Sequence, residues 1–93
     1  MAPGNQRSAP RYRLIFSPQF RRDLKTLNAE THRRVLRAVE QLAANPARGK
    51  KLGGVAIGQW RVRVGDYRIR YDIEGSDVLL YRVRDRKDIY RER

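Results

Sequence analysis

Apolar and basic residues alternate through residues 60–71, which read Trp-Arg-Val-Arg-Val-Gly-Asp-Tyr-Arg-Ile-Arg-Tyr. A period of two predicts strands whose two faces differ. Gly65-Asp66 divides the segment into two five-residue arms. Gly and Asp favour a two-residue hairpin turn because both tolerate positive φ. The predicted hairpin has an apolar and aromatic face and an arginine face, which we define as Arg61, Arg63, Arg68 and Arg70.

The predicted register sets arginine opposite arginine twice, with Arg61 facing Arg70 and Arg63 facing Arg68. Like charges directly opposite one another destabilise a hairpin. A basic strand face can serve solubility or protect a sheet edge, but this face contains no residue type other than arginine. The planar guanidinium group binds phosphate through two parallel hydrogen bonds. We therefore interpret the arginine face as an anion-binding site.

The N-terminal half predicts a strand followed by two helices. Residues 1–10 contain two prolines and a glycine without periodicity, which predicts a disordered leader. Residues 11–16 alternate and predict a short strand. Ser17-Pro18 favours a helix start, with Ser as N-cap and Pro at the first helical position, and this first helix should run to about Leu27. Apolar residues at helical spacing predict a second helix over residues 29–44.

The C-terminal half predicts an antiparallel meander. After the hairpin, Gly75-Ser76 turns the chain into a strand over residues 78–83, whose nearly continuous apolar character suits a central position. This turn would set Tyr81 opposite Arg70, on the arginine face. Residues 84–93 would form a short C-terminal helix or tail. We expect an α+β fold, in which the N-terminal strand and the three-stranded meander form one small twisted sheet packed on a helical hairpin.

The loop between the second helix and the hairpin, residues 47–59, contains Lys50 and Lys51 among several glycines. Its lysines could contact a phosphate backbone or remain solvated surface residues. We expect the loop to be anchored to the core by Leu52, Val55 and Ile57.

Charge and length limit the functional classes. The 93 residues suit one domain, and they carry 22 Lys and Arg against 10 Asp and Glu, a net charge of +12. Such an excess attracts polyanions, of which nucleic acid is the most common. A membrane surface is a weaker candidate because the basic residues do not lie along an amphipathic helix with an aromatic face. The chain has no cysteine, which fits a reducing cytoplasm, and we predict a cytoplasmic protein.

The candidate chemistry is phosphoryl transfer on RNA. Thiol and Ser-His-Asp chemistry are poorly supported because the chain has no cysteine and its single histidine, His32, lies far from the hairpin in sequence. The ribose 2′-OH can act as nucleophile on the adjacent phosphate. Fixed guanidinium groups directed at the developing charge would stabilise the transition state by several kcal/mol. We expect no cofactor and no metal.

The order of elements, the hairpin segment and the ending Arg-Lys-Asp-Ile-Tyr-Arg at residues 86–91 resemble the RelE branch of the RelE/ParE toxin superfamily. The resemblance covers residues 11–93. It implies a toxin that cuts mRNA in the ribosomal A site without a metal. It also implies a cognate antitoxin, which we expect to use an acidic or amphipathic segment and which could carry the complex to operator DNA.

Matching positions to the family motif assigns the catalytic roles. The resemblance implies paired basic residues at Arg61 and Arg63, a phosphate-stabilising arginine at Arg68, an arginine at Arg86 and a base-stacking tyrosine at Tyr90. The chain departs from many relatives in having Arg84-Asp85 where they have a Gly-His pair. Its arginines at positions 61 and 63, where relatives often have lysine, stay protonated and so favour charge stabilisation over proton abstraction.

Further RNA contacts are expected around this centre, from Lys50, Lys51, Arg70, Tyr81, Arg84, Lys87 and Arg91. Two alternative functions stay open. The first is a ParE-like toxin that poisons DNA gyrase by protein binding, without nuclease activity. The second is a nucleic-acid-binding module that is not toxic.

Overall fold

The computed structural model describes residues 11–86 and contains two helices and a mixed five-stranded sheet. The expectations for residues 1–10 and 87–93 lie outside this range. In chain order the elements are β1 (Arg13–Phe16), α1 (Pro18–Lys25), α2 (Ala29–Ala44), a 3-10 turn (Pro46–Arg48), β2 (Lys50–Lys51), β3 (Trp60–Val64), β4 (Tyr67–Glu74) and β5 (Asp77–Asp85). The strand order is β1-β5-β4-β3-β2, with β1 parallel to β5 and the other pairs antiparallel.

The two helices begin at side-chain caps that the sequence predicts. Ser17 Oγ accepts a hydrogen bond from the Phe20 N–H at 3.0 Å, and Asn28 Oδ1 accepts one from the Thr31 N–H at 2.8 Å. These caps satisfy N–H groups that have no partner within the first helical turn. The bounds of α2 confirm the predicted range, whereas α1 ends at Lys25, because the chain needs the intervening residues to turn into the Asn28 cap. Neither helix is long and apolar enough to cross a membrane.

The core lies between the helices and one face of the sheet. The β4–β5 pair contributes the buried face of the sheet, and the helices cover it with apolar stripes. The core residues, all at most 3% exposed, are Phe20, Val35, Val39, Leu42, Ile69, Tyr71, Val78, Leu80 and Val83. This arrangement confirms the α+β prediction and the interior position of the last strand, with β2 as an additional strand that pairs only with Arg61 and Trp60.

The expected anchoring of the 47–59 loop is wrong in detail. Val55 is 38% exposed and Ile57 65% exposed, so apolar burial does not hold the tip of the loop. The Asp72 carboxylate on β4 instead accepts hydrogen bonds from the Gly58 N–H at 2.9 Å and from the Gln59 N–H at 2.7 Å. Polar contacts therefore position the loop against the sheet.

The expected position of Tyr81 opposite Arg70 is also wrong. The Gly75-Ser76 turn has the predicted two-residue length, and the register runs regularly from Glu74–Asp77 to Tyr71–Leu80. A β-bulge between Arg70 and Tyr71 then pairs Arg70 with Arg82 and leaves Tyr81 as the extra residue. The bulge keeps both Leu80 and Val83 buried. Without it, the alternation of faces would turn Arg82 towards the core and Val83 towards solvent.

Candidate nucleic-acid interface

The β3–β4 hairpin has the register that the alternation predicts. Arg61 pairs with Arg70 and Arg63 pairs with Arg68 across the two strands. The turn is closed by the Val64–Tyr67 pair, and Gly65 adopts a φ of 60°, the conformation for which glycine is favoured. Because Ile69 and Tyr71, which flank Arg70 on β4, are buried in the core, the four arginines lie on the face of the sheet opposite the core.

Strand β5 extends this face by two arginines. The register pairs Arg68 with Arg84 and Arg70 with Arg82. Two rows of three arginines therefore cross β3, β4 and β5. We call these the upper row, Arg63–Arg68–Arg84, and the lower row, Arg61–Arg70–Arg82. The sequence prediction included Arg84 but missed Arg82, whose position depends on the bulge. No local pattern indicates this position, because residues 78–81 are all apolar or aromatic and their order does not show which of them are buried.

Two members of the lower row are bound within the fold. Arg70 Nε donates to Gly58 O at 2.7 Å, and its Nη2 donates to Ile57 O at 3.5 Å. Arg82 Nε donates to Asp23 Oδ2 at 2.8 Å and Nη2 to Asp23 Oδ1 at 3.2 Å, which joins β5 to α1. Both guanidinium groups hold neighbouring elements in place. The structure thus favours a structural role for Arg70, which the sequence had suggested as an RNA contact.

The other hairpin arginines are available for a ligand. Within residues 11–86, the side chains of Arg61, Arg63 and Arg68 have no hydrogen bond or ion pair with the protein. Arg61 and Arg68 are half-buried, whereas Arg63 is exposed. These three guanidinium groups lie close together on β3 and β4 and have no carboxylate partner in the described chain. Such an arrangement of charge favours a bound phosphate.

The end of β5 brings Arg86 to the turn of the β3–β4 hairpin. The Arg86 N–H donates to Asp66 O in the hairpin turn at 2.9 Å, and the preceding Asp85 pairs with Tyr67. Arg86 therefore lies beside the turn that closes the upper row. The other predicted residues of this terminus, Lys87, Tyr90 and Arg91, lie outside the described residues.

Tyr81 lies beside the lower row and interacts with Asp72. Burial, followed by the charge of Asp72 and a hydrogen bond to its carboxylate, raises the pKa of Tyr81 above its ordinary value. A raised pKa disfavours the phenolate, so these surroundings do not prepare Tyr81 to act as a base at neutral pH. A contact between Tyr81 and RNA stays a prediction.

Lys50 lies at the edge of the arginine face, whereas Lys51 pairs with Trp60 farther along the sheet. Lys50 lines a concavity of about 370 Å³ with residues of β3 and the 3-10 turn, among them Arg61, Arg63 and Arg48. Arg48 was missed by sequence reasoning because its loop has no periodic pattern that would place it.

Comparisons with known proteins agree with this architecture. A family model described as the ParE toxin of the type II toxin-antitoxin system parDE matches residues 14–90. Toxin RelE3 of Methanocaldococcus jannaschii is 30% identical over 83 residues, which cover 84% of this chain and 94% of that toxin.

Solved structures show the same fold. A chain of the toxin-antitoxin complex RelBE2 from Mycobacterium tuberculosis matches with a TM-score of 0.75 and 29% identity, covering 84% of this chain and 94% of its own. The RelB-RelE complex from Methanococcus jannaschii contains a chain that matches with a TM-score of 0.70 and 29% identity, covering 83% of this chain and 95% of its own. From its family match, its curated relative and its fold, this chain belongs to the RelE/ParE superfamily of type II toxins.

Proposed function

We propose that this toxin is a ribosome-dependent endoribonuclease that cleaves mRNA in the A site and so inhibits translation. The observation that carries the proposal is the set of three arginines, Arg61, Arg63 and Arg68, that face solvent on one sheet surface without a partner in the described chain. Retaining opposed like charges costs stability, and phosphate binding provides a reason to retain them.

The reaction suited to this site is an internal transfer at phosphorus. The 2′-oxygen of one nucleotide forms a bond to the adjacent phosphorus as its proton passes to a base, and the bond from phosphorus to the 5′-oxygen of the next nucleotide breaks. That oxygen takes up a proton and leaves as a 5′-OH, while a 2′,3′-cyclic phosphate remains and can open to a 3′-phosphate. Charge accumulates on the non-bridging oxygens at the transition state, where guanidinium groups stabilise it without a metal ion.

The register supports the following roles for the arginines in this scheme. Arg68 lies at the centre of the upper row, between Arg63 and Arg84, and would bind the scissile phosphate. Arg61 and Arg63 would hold the flanking backbone as protonated groups. Arg86, beside the hairpin turn, would bind the phosphate from the other side. The stacking role of Tyr90 remains a prediction from the family motif.

The proposed partners follow from the relatives and from charge. Three solved relatives are described as RelB–RelE or RelBE2 complexes, which supports a cognate antitoxin for this chain. A net charge of +12 favours an acidic or amphipathic antitoxin segment, since complementary charge promotes association. The antitoxin could bring the complex to operator DNA. Free toxin would act in the cytoplasm, where translating ribosomes are found.

The test is brief induction of wild type and of Arg68→Ala, followed by primer extension on an abundant transcript. Arg33→Ala is a matched control, because it removes the same charge from an exposed position on α2. We expect wild type and the control to produce cuts confined to translated regions at codon-phased positions. Arg68→Ala should reduce these cuts by at least about 100-fold, as loss of a preorganised electrostatic group does.

A gyrase poison is the second candidate, and the match to the ParE toxin model favours it. Arrested growth with intact mRNA, induced DNA damage and retained toxicity of Arg68→Ala would exclude the nuclease and support this alternative. Harmless expression of the wild-type chain without an antitoxin would exclude both and support a non-toxic binding module.

A further inference from the structure

A second basic surface lies at the exposed edge of β3, on the side of the hairpin nearest α2. Strand β2 covers only the Trp60 and Arg61 positions of β3, so the last three residues of β3, 62–64, have no neighbouring strand on this side within residues 11–86. Two concavities adjoin this edge. Arg63 lines both concavities, and Arg61 lines one of them. The edge is therefore continuous with the arginine face.

The first concavity, of about 240 Å³, lies between α2 and the end of β3. It is lined by Arg34, Arg37, Ala38, Gln41, Arg63, Val64 and Gly65. The guanidinium of Arg34 lies over the hairpin turn, since a Cβ placed on Gly65 would be 3.4 Å from Arg34 Nη2. The second, of about 370 Å³, adds Arg48 and Lys50 beside Arg61 and Arg63.

Charge distinguishes these concavities from an ordinary solvated surface. Six cationic side chains line them and no carboxylate does. None of the six has a side-chain hydrogen bond or ion pair within residues 11–86. By contrast, the larger apolar groove between α2 and β1 includes Glu40 as well as Arg37. A concave, uniformly basic surface focuses the electrostatic field and attracts a polyanion.

We propose that this surface, the β3-edge cleft, binds the sugar–phosphate backbone of an RNA strand as the strand leaves the arginine face. The inference rests on the proposed function, which identifies the nucleic acid on the arginine face as RNA. Five of the six cations are arginine. A surface that served only solubility would not need arginine, whereas the planar guanidinium group is well suited to binding phosphate. The lining contains no aromatic side chain for stacking, so binding here is independent of base sequence.

The test measures binding of a fluorescent single-stranded U12 RNA to the full chain by anisotropy at several salt concentrations. The cleft variant is Arg34→Ala/Arg37→Ala. Its control, Arg22→Ala/Arg33→Ala, removes two exposed arginines that lie outside the cleft, one on α1 and one on α2. Alanine favours helix at all four positions, and thermal unfolding of each variant verifies the fold.

We expect the cleft variant to lose about tenfold in affinity and the control much less. The slope of log K against log salt should fall by about 1.4 in the cleft variant, because each phosphate contact on single-stranded nucleic acid contributes about 0.7. Arg34→Lys/Arg37→Lys should restore most of the slope, since the charge is retained.

Equal losses in the cleft variant and the control would overturn the proposal, because they would show only the effect of net charge. Unchanged RNA binding with lost binding of an acidic peptide such as polyglutamate would overturn it as well and assign the cleft to a protein partner. Failure of the proposed nuclease would appear separately, as intact mRNA after induction of wild type, because U12 binding does not depend on cleavage.

Discussion

Arg61 and Arg70 are direct partners in the β3–β4 register, but of the two only Arg70 is bound to another part of the described chain. Its guanidinium donates to two carbonyl oxygens of the 47–59 loop. Arg61 has no side-chain partner within residues 11–86. Two identical side chains at opposed positions thus have different surroundings: Arg70 holds the loop, whereas Arg61 is available for the RNA that we propose as ligand.

Replacing each of these arginines by alanine should separate the two roles. Arg70→Ala should lower the free energy of unfolding by about 1 kcal/mol, the net value of a typical hydrogen bond, and make the loop more susceptible to proteolysis. Arg61→Ala should change stability by less than about 0.5 kcal/mol and strongly reduce mRNA cleavage in a translation extract. Urea unfolding measures the first effect. A larger stability loss in Arg61→Ala than in Arg70→Ala would contradict this division.

Much of the fold follows from local sequence signals. The hairpin register is determined by strict alternation around Gly65-Asp66, and the range of α2 by the Asn28 cap and an apolar stripe. These signals act over a few residues, so they can be read without tertiary information. The positions of Arg61, Arg63 and Arg68 on one face were predictable for the same reason.

The rest depends on contacts between distant residues. The bulge at Tyr81 is stabilised by burial of both Leu80 and Val83, and only the packed sheet makes this visible. The loop depends on Asp72, which is 14 residues from Gly58. The contribution of Arg34 to the β3-edge cleft requires the packing of α2 beside the hairpin turn, which no local pattern specifies.

Asp23 should contribute more to stability than Asp77, which also forms an ion pair. Its side chain is 13% exposed and accepts hydrogen bonds from Arg82 Nε, Arg82 Nη2 and the Val83 N–H. Asp23→Ala would remove three hydrogen bonds to one largely buried carboxylate, so we expect a loss of about 2 kcal/mol in the free energy of unfolding. The control is Arg13→Ala, which breaks the ion pair with Asp77.

The control should cost less than about 1 kcal/mol because the Arg13 side chain is 74% exposed and exposed pairs contribute little. Chemical denaturation of both variants provides the comparison. Equal losses would show that the Asp23 contact is no stronger than a surface pair.

Tyr71 should make stability decrease at alkaline pH. Its side chain is fully buried, its hydroxyl donates to Pro46 O at 2.7 Å, and burial raises its pKa to about 12. An unfolded tyrosine titrates near 10, so between about pH 10 and 12 the unfolded state loses a proton that the folded state retains. Stability from this group is therefore present below pH 10 and is lost as pH rises, by at most about 1.4 kcal/mol per pH unit.

The variant Tyr71→Phe isolates this contribution. At pH 7 it should be about 1 kcal/mol less stable than wild type, because Pro46 O loses its donor. Above pH 10 the difference should shrink, since phenylalanine has no proton to lose. Urea unfolding at pH 7, 10 and 11 tests this. A difference that stays constant with pH would show that Tyr71 does not titrate as its burial implies.

Removing the central charge of the upper row should stabilise the fold while it abolishes activity. Arg68 lies between Arg63 and Arg84 in the register, and opposed like charges destabilise neighbouring strands by a few tenths of a kcal/mol or more. Arg68→Gln retains a polar side chain, although a shorter one, and removes the charge, so we expect a gain of about 0.5 kcal/mol at low salt. The gain should decrease at about 1 M salt, because the Debye length is then roughly 3 Å and the repulsion between the arginines is screened.

Wild type and Arg33→Gln are the references for this measurement. Arg33→Gln makes the same chemical change at an exposed helical position outside the arginine face, and it should change stability by less than about 0.3 kcal/mol, as isolated surface substitutions do. Loss of stability in Arg68→Gln would mean that Arg68 supports the fold through its charge. A salt-dependent gain together with lost mRNA cleavage would mean that the chain retains this charge for its ligand and bears the repulsion in its absence.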